Sequence, residues 1–493
     1  MGVDVTAVAR VVGIETTFKD LRGGAAVRLP QQVALVGQGS ITSTYALTPV
    51  KVTSAATVGT TYGFGSPLHL AALQLLPTNG DGLGTIPLTV YPMEAEPTAG
   101  AVSSGTIIPT GTQAGTANYT VTVNGLVSAP FQVLDAELGT DLEARIGEAI
   151  NANVNMPVIA VVTSDLVTLN SKWEGLSAND ITISVDGPAN GITFGLVQPV
   201  GGLATPDVAT ALGNIVNKWE TLLVNCLQFT DSTALDAYQL WGANRWGALV
   251  KKPAVVVTGS NSPITTTVTA VTDLRKTDFI NLIYPVYGSA SLPLQIAARA
   301  VARFAKVSNE DPAMDYGGQK LTGIEPGADI NQANYLALNA AIVAGSSTST
   351  VIDGVVSALD TITCYHPTGE DPPAYRYLAD IAKLQNVIFN LDLIFAAPSW
   401  DGAPLIPDSQ ATTNPNARKP MSAKSAINTV LDGLGLAAIL SDVETAKKAT
   451  VVTIDSGNPK RLNATVVVQL SGNTNIISID LNFGFFFGTL EVL

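Results

Sequence analysis

The chain has 493 residues, enough for about two to four domains rather than a single core. Only 13% of its residues are charged, about half the usual ~25%, and mean hydropathy is +0.30. Net charge is −14, the wrong sign for nucleic acid, whose binders carry basic patches. So few charges cannot cover the surface of a chain this long, which leaves a membrane protein or one buried against other chains. The richest apolar stretches, "LGLAAILSDVE" and "VIFNLDLIFAAP", are broken by Asp, Asn or Pro. Neither nears the roughly 18 to 20 residues of a spanning helix. No basic-then-apolar leader is read at the start, where Asp4 comes almost at once. The expectation is a cytoplasmically made protein with extensive protein–protein contact.

Residues 1–30 lack clear periodicity and read as an extended arm, with Val3 and Val5 alternating against Asp4 and Thr6. "QVALVGQGS" reads as a buried strand entering a glycine turn, "PLHLAALQLLP" as a helix ended by proline, and "TIPLTVYP" as the next strand. Strand, helix and strand at this spacing make a βαβ unit of a parallel sheet. From about 95 to 200 the texture changes to short alternating strands rich in Gly, Thr, Val and Asn. "NYTVTVNGLVSAPFQV" holds Asn124-Gly125 between alternating runs, a strong hairpin signal. This block has two basic residues, Arg145 and Lys172, against ten acidic ones. It is expected to be an outward-facing insertion folding on a core of its own.

Helix and strand alternate again after Gly202. "TPDVATALGNIVNKWETLLV" has a Thr/Pro/Asp helix start. "KPAVVVTG" and "DFINLIYP" read as strands, "LPLQIAARAVARFAKV" and "INQANYLALNAAIVAG" as helices, and "VIDGVVSALDTITCY" as a strand pair turning at Asp353-Gly354. After the long helix "PPAYRYLADIAKLQNVIFNLDLIF", a last module from about 386 should carry a helix over 421–447, kinked near Gly433 and Gly435. Three strands follow it: "TVVTIDSG", "ATVVVQLSG" and the terminal "IISIDLNFGFFF". In the last, Ile477, Ile479, Leu481, Phe483, Phe485 and Phe487 alternate with small or polar residues, the period of a strand with one apolar face. An apolar strand at a chain end is an aggregation hazard unless something covers it.

The fold class is therefore α/β and α+β multidomain. The boundaries are an arm at 1–30, an α/β core of 31–94 plus 201–385, a β-rich insertion at 95–200, and a C-terminal α+β domain at 386–493.

Motifs for chemistry are weak. "GQGSIT" lacks the third glycine of a dinucleotide loop, Thr42 standing in its place. "NGDGLG" lacks the acidic spacing of a calcium loop and suits a plain turn. His69 and His366 are far apart in sequence, and Cys226 and Cys364 are isolated, so no triad, zinc site or disulfide framework is read. Trp219, Trp241 and Trp246 read as core. No catalytic residue, cofactor site or metal site is assigned, and the chain is not expected to be an enzyme.

The ordered features do resemble a family, the contractile tail sheath proteins of Mu-like myoviruses. "QVALVGQGS" and "YGFGSPLHLAALQLL" look like its opening strand and FGxGS-helix step, and "VTLNSKWEGLSANDITISV" is similar to the end of its inserted domain. "GGLATPDVATALGNI" resembles its GG-x-x-x-PD helix start, and Arg245-Trp246 an RW dipeptide. "EDPAMDYGGQKLTGIEP", "TITCYHP" and "GNPKRLNATVVVQL" resemble later segments. At the arm, Val12-Gly13-Ile14-Glu15 departs from the family's Pro-Gly-Val-Tyr.

The resemblance implies a structural virion protein, assembled in the host cytoplasm, that stacks with itself as hexameric rings around a tail tube protein. It would contract on a baseplate signal to drive the tube through the host envelope. Tail tube, baseplate and tail terminator proteins would be its partners, with no nucleic acid and no membrane insertion. Terminal arms would exchange strands between subunits, which assigns that role to Val3 and Val5 and to Ile477, Ile479, Leu481, Phe483, Phe485 and Phe487. The C-terminal module is less acidic than the rest, so it is expected to face the tube, with Lys447 and Lys448 as contact candidates. Two other classes stay open at this point, an α/β enzyme with an unrecognised site and another lattice protein such as a surface layer.

Overall fold

The computed structural model describes residues 26–163, 166–370, 373–475 and 477–481. Its centre is a six-stranded sheet in the order Asn281–Pro285, Val255–Ser260, Leu222–Asn225, Val33–Gln38, Leu88–Met93 and Val50–Val52. The first five run parallel, and the short Val50–Val52 edge is antiparallel. Every residue of the five parallel strands is buried, as expected where helices cover both faces.

Alternate residues sort to the two faces. Val33, Leu35, Leu222, Val224, Val255 and Val257 join the core beneath the Pro67–Leu75 and Pro293–Glu310 helices. Ala34, Val36, Leu223 and Val256 pack instead with Val208, Leu212 and Tyr238 of the Val208–Gly213 and Ser232–Trp246 helices. The segment with the Thr/Pro/Asp start is helical only over Val208–Gly213. Asp207 caps that helix, and the segment's tail becomes the central strand Leu222–Asn225.

The inserted segment forms two antiparallel four-stranded sheets. One is built on Ala117–Val123, the other on Val102–Gly111 and Val167–Glu174. Positive φ at both Asn124 (47°) and Gly125 (75°) gives the tight hairpin turn. Ala101 bridges to Leu203, so the two ends of the insertion leave the core side by side.

Its core is not its own. Met156, Val158, Leu169 and Trp173 belong to one continuous apolar cluster with Leu68, Val33 and Leu294. Polar ties reinforce that seam. Lys172 Nζ donates across it to the Phe64 carbonyl (3.0 Å), and Gln38 Nε2 donates to that of Glu174 (2.8 Å).

The C-terminal part does have a separate core, made of Val387, Ile427, Leu431, Leu434, Ile439, Leu440 and Ala446. The helix expected over 421–447 is two helices, Pro420–Leu436 and Val443–Ala449, separated by the Leu440–Ser441 strand. Left-handed backbone at Ala438 (φ 54°) and Asp442 (φ 47°) breaks it, and the Asp442 carboxylate caps the second helix by accepting from Thr445 N–H at 3.2 Å. Gly433 and Gly435 both lie within the first of these helices. A Cβ on Gly435 would stand 2.4 Å from Val443 Cγ2, so its bareness lets the two helices touch. "ATVVVQLSG" is likewise split, Leu462–Thr465 pairing with Val451–Ile454 and Gln469–Leu470 with Leu440–Ser441.

One strand-to-helix contact offers a test of this packing. A Cβ on Gly259 would lie 1.9 Å from the carbonyl oxygen of Pro293, at the first turn of the Pro293–Glu310 helix. Backbone cannot yield as a side-chain tip can. Gly259→Ala should therefore destabilise the subunit by about 3 kcal/mol, read as a lowered thermal midpoint; an unchanged midpoint would contradict this packing.

Candidate functional site

The chemistry-bearing residues are held in structural roles. His69 is buried beneath Phe64 and accepts a hydrogen bond from Gly65 N–H through Nδ1 at 3.1 Å. That bond requires the neutral ring. Burial pushes its pKa down to about 4, and the Lys172 charge works in the same direction. His366 donates through Nδ1–H to the Cys364 carbonyl, 2.7 Å away. Cys226 and Cys364 are buried, and burial pushes both thiols up, away from the reactive thiolate. Among the described residues no group of three His, Cys, Asp or Glu is placed to hold a metal, and no helix is long and apolar enough to cross a membrane.

The more unusual arrangement lies along the Leu378–Phe395 helix, where four polar side chains are buried, among them Lys383, Asn386 and Asn390. Spacings of three and four put them on one face. Asn390 grips the incoming N-terminal segment at both backbone groups of one residue. Val27 N–H donates to its Oδ1 and its Nδ2 donates to the Val27 carbonyl, both at 2.8 Å. One turn earlier, Asn386 Oδ1 accepts from Leu29 N–H at 2.8 Å.

Lys383 holds the other end of the chain. Its side chain is 0% exposed, and its ammonium donates to the Ser471 carbonyl (2.6 Å), Asn473 Oδ1 (2.6 Å) and Asp380 Oδ1 (3.2 Å). Asn473 in turn donates to the Ala313 carbonyl at 2.8 Å. Nearby, burial pushes the Asp315 carboxyl above the usual range, with backbone N–H groups and the Lys383 charge pulling against it. The sequence reading missed this trio. The available signal was the spacing of three and four that puts Lys383, Asn386 and Asn390 on one stripe of the helix.

Beyond the Lys383 contact, Ile477, Ile479 and Leu481 belong to no strand and are 77%, 82% and 78% exposed. Val3, Val5, Phe483, Phe485 and Phe487 lie outside the described residues. Lys447 is not a free cation. It pairs with Asp432 and with Glu444 (2.9 Å), and those carboxylates hold its pKa above the ordinary value. Lys448 is exposed, with no carboxylate within ion-pair distance among the described residues.

No family model matches the sequence. A Mu-like prophage tail sheath protein of Haemophilus influenzae is 23% identical over 438 residues, covering 84% of each chain. The fold is similar to that of a sheath tail protein from Listeria innocua, with a TM-score of 0.50, 12% identity, and coverage of 92% of this chain and 95% of that one. A sheath tail protein from Desulfitobacterium hafniense gives a TM-score of 0.46 at 13% identity, covering 93% of this chain and all of that one (100%). The resemblance to tail sheath proteins holds. It extends over most of the chain in both sequence and fold, and the mixed α/β architecture with several sheets agrees with it.

In this sheath-like fold the buried His69 makes a prediction about acid. The folded state keeps the ring neutral down to about pH 4, whereas an unfolded chain protonates it near 6.5. Between those values the unfolded state binds more protons. The histidine's contribution is therefore full above about pH 6.5 and falls as pH drops toward 4, by at most about 3 kcal/mol. Asp180 works oppositely, since burial pushes its carboxyl up to about 6 and Gln228 only partly offsets this. A variant comparison removes that background. The stability advantage of wild type over His69→Gln should shrink as pH is lowered from about 6.5 to about 4, measured by denaturant titration at each pH. A pH-independent difference would contradict the neutral, accepting ring.

Proposed function

We propose that this chain is the subunit of a contractile tail sheath, a structural virion protein of a phage tail. It stacks as hexameric rings around a tail tube and shortens on a baseplate signal to drive the tube through the host envelope. Baseplate and terminator proteins close the two ends of the stack. The observation that carries this reading is the alternating apolar run at Ile477, Ile479 and Leu481, exposed in the single chain, within a sequence similar to a tail sheath protein along most of its length.

Such a run is completed by strands from a neighbour, the β-augmentation mode. Val3, Val5, Phe483, Phe485 and Phe487 belong to the same exchange. Burying the six large apolar side chains from Ile477 to Phe487 contributes on the order of 10 kcal/mol gross, at ~1.5–3 each, before ordering costs. Repeated through a lattice, that decides whether cylinders form.

A chain stopped after Asn473 keeps the Lys383 contacts and loses the apolar run. It should fold with an unchanged circular dichroism spectrum and melting transition, yet fail to form the cylinders that wild type forms in sedimentation and negative-stain microscopy. Cylinders from the truncated chain would refute strand exchange, and a collapsed melting transition would place the run inside the subunit's own fold.

For tube attachment, the pairing of Lys447 within its own subunit makes Lys448 the cleaner probe. Lys448→Glu should lower co-sedimentation of sheath with tube by about threefold to tenfold, as a charge reversal at a rim contact does, and leave tubeless polymers intact. Undiminished co-sedimentation would remove the C-terminal helix from the tube interface.

A further inference from the structure

We propose that the Leu378–Phe395 helix is a common anchor for both chain ends, so that traction applied to either end reaches the subunit through one helix. The inference rests on the strand-exchange reading above for its mechanical meaning, though not for its geometry. Three observations carry it.

The two roots meet the same stripe. Asn390 and Asn386 hold Val27 and Leu29, and Lys383 holds Ser471 and Asn473. Lys383 and Asn390 are seven positions apart, about 10 Å of helix axis.

The bonds on the N-terminal side go to backbone groups, and on the C-terminal side the ammonium takes one backbone carbonyl and one amide side chain. A bond to the backbone holds a segment whatever its side chains are, and it fixes which residue sits at the root. The burial of the gripping groups adds force to this. Removing the partner of a buried amide or ammonium leaves it unsatisfied, a larger loss than forfeiting a surface contact.

The helix is also the joint between the two cores. Leu378, Ala379 and Ile381 belong to the main core, whereas Val387, with Leu391 and Ile394 against it, belongs to the C-terminal core. Gln385 between them donates to the Pro253 carbonyl at 3.0 Å. A pull on either root is therefore received at the place where the two bodies are already fastened. The partner on each end is a second copy of this chain. A root held in register presents its strand to that copy with part of the ordering cost already met.

The test uses the full-length chain with Asn390→Leu, Lys383→Met and the double variant. In the soluble subunit, hydrogen exchange should speed up about tenfold or more at the Val27 amide in Asn390→Leu. In Lys383→Met the same should hold for the Ser471 amide, which donates to the Ile439 carbonyl and is released when the Lys383 grip on the Ser471 carbonyl is lost. The Val33–Gln38 strand should stay unchanged in both. The double variant should raise the critical concentration for cylinders by about tenfold or more while its far-UV spectrum is kept.

Exchange at Val27 and Ser471 equal to wild type would overturn the anchor. So would a double variant assembling at the wild-type concentration. If Lys383→Met fails to fold, Asn390→Leu alone decides through Val27 exchange and critical concentration. Should wild type form no cylinders at all, strand exchange fails as a reading, and the exchange measurements still decide whether both roots are held by this helix.

Discussion

Five parallel strands buried on both faces place a strict demand on everything around them. Each strand can satisfy its backbone only through its neighbours, and its side chains only through helices packed above and below. Several polar residues in and beside the sheet are matched to one another, although Asn281 Oδ1 and the Tyr284 hydroxyl are buried without a protein partner. Asn225 donates to Thr258 Oγ1 at 3.0 Å and accepts from the Tyr238 hydroxyl at 3.3 Å. Asp278 accepts from Asn281 Nδ2 at 2.7 Å and pairs with Arg275 at 3.0 Å, although burial still pushes its carboxyl up. Open α/β sheets commonly bind ligands at the carboxyl ends of their strands. Here Asn225, at such an end, has its hydrogen bonds taken up inside the protein.

A chain that puts its apolar residues in two such faces, and still carries only 13% charged residues, has little polar material left for its exterior. The outcome is visible in Leu249 (98% exposed), Ile330 (92%) and Leu436 (89%). Single exposed apolar residues are ordinary on any protein. Under the assembly proposal these positions have neighbouring subunits available to cover them, and the low charge content then needs no separate explanation.

Much of the sheet and its covering helices was legible, because parallel strands appear as unbroken apolar runs and the Asn124-Gly125 and Asp353-Gly354 turns have positive φ that their residues accommodate. What escaped has identifiable causes. The break at Ala438 and Asp442 depends on left-handed backbone, which an alanine does not advertise, and an apolar period running through "LDGLGLAAIL" hides it. The shared core of the insertion depends on Met156 and Trp173 meeting residues distant in sequence, and periodicity reports only that such residues are buried somewhere. Lys383, Asn386 and Asn390 were missed for the converse reason. A polar residue on a helix reads as solvent-facing, and only the return of the chain near Val27 and Ser471 encloses these three.

That enclosure also explains why the stripe is polar at all. Apolar side chains at 383, 386 and 390 would bury the same area with no desolvation cost. They would not, however, distinguish Val27 from its neighbours as the residue gripped, and an extended segment held by apolar contact alone can slip. A slip by one residue turns every side chain of a strand to its opposite face. Under the strand-exchange proposal, that error would present the wrong face to the next subunit. Directed bonds to the backbone remove the ambiguity, because a slipped root leaves a buried amide or ammonium unsatisfied. The desolvation of one lysine and two asparagines would thus secure the register of the chain ends, which is the property that the proposed strand exchange most needs from its subunit.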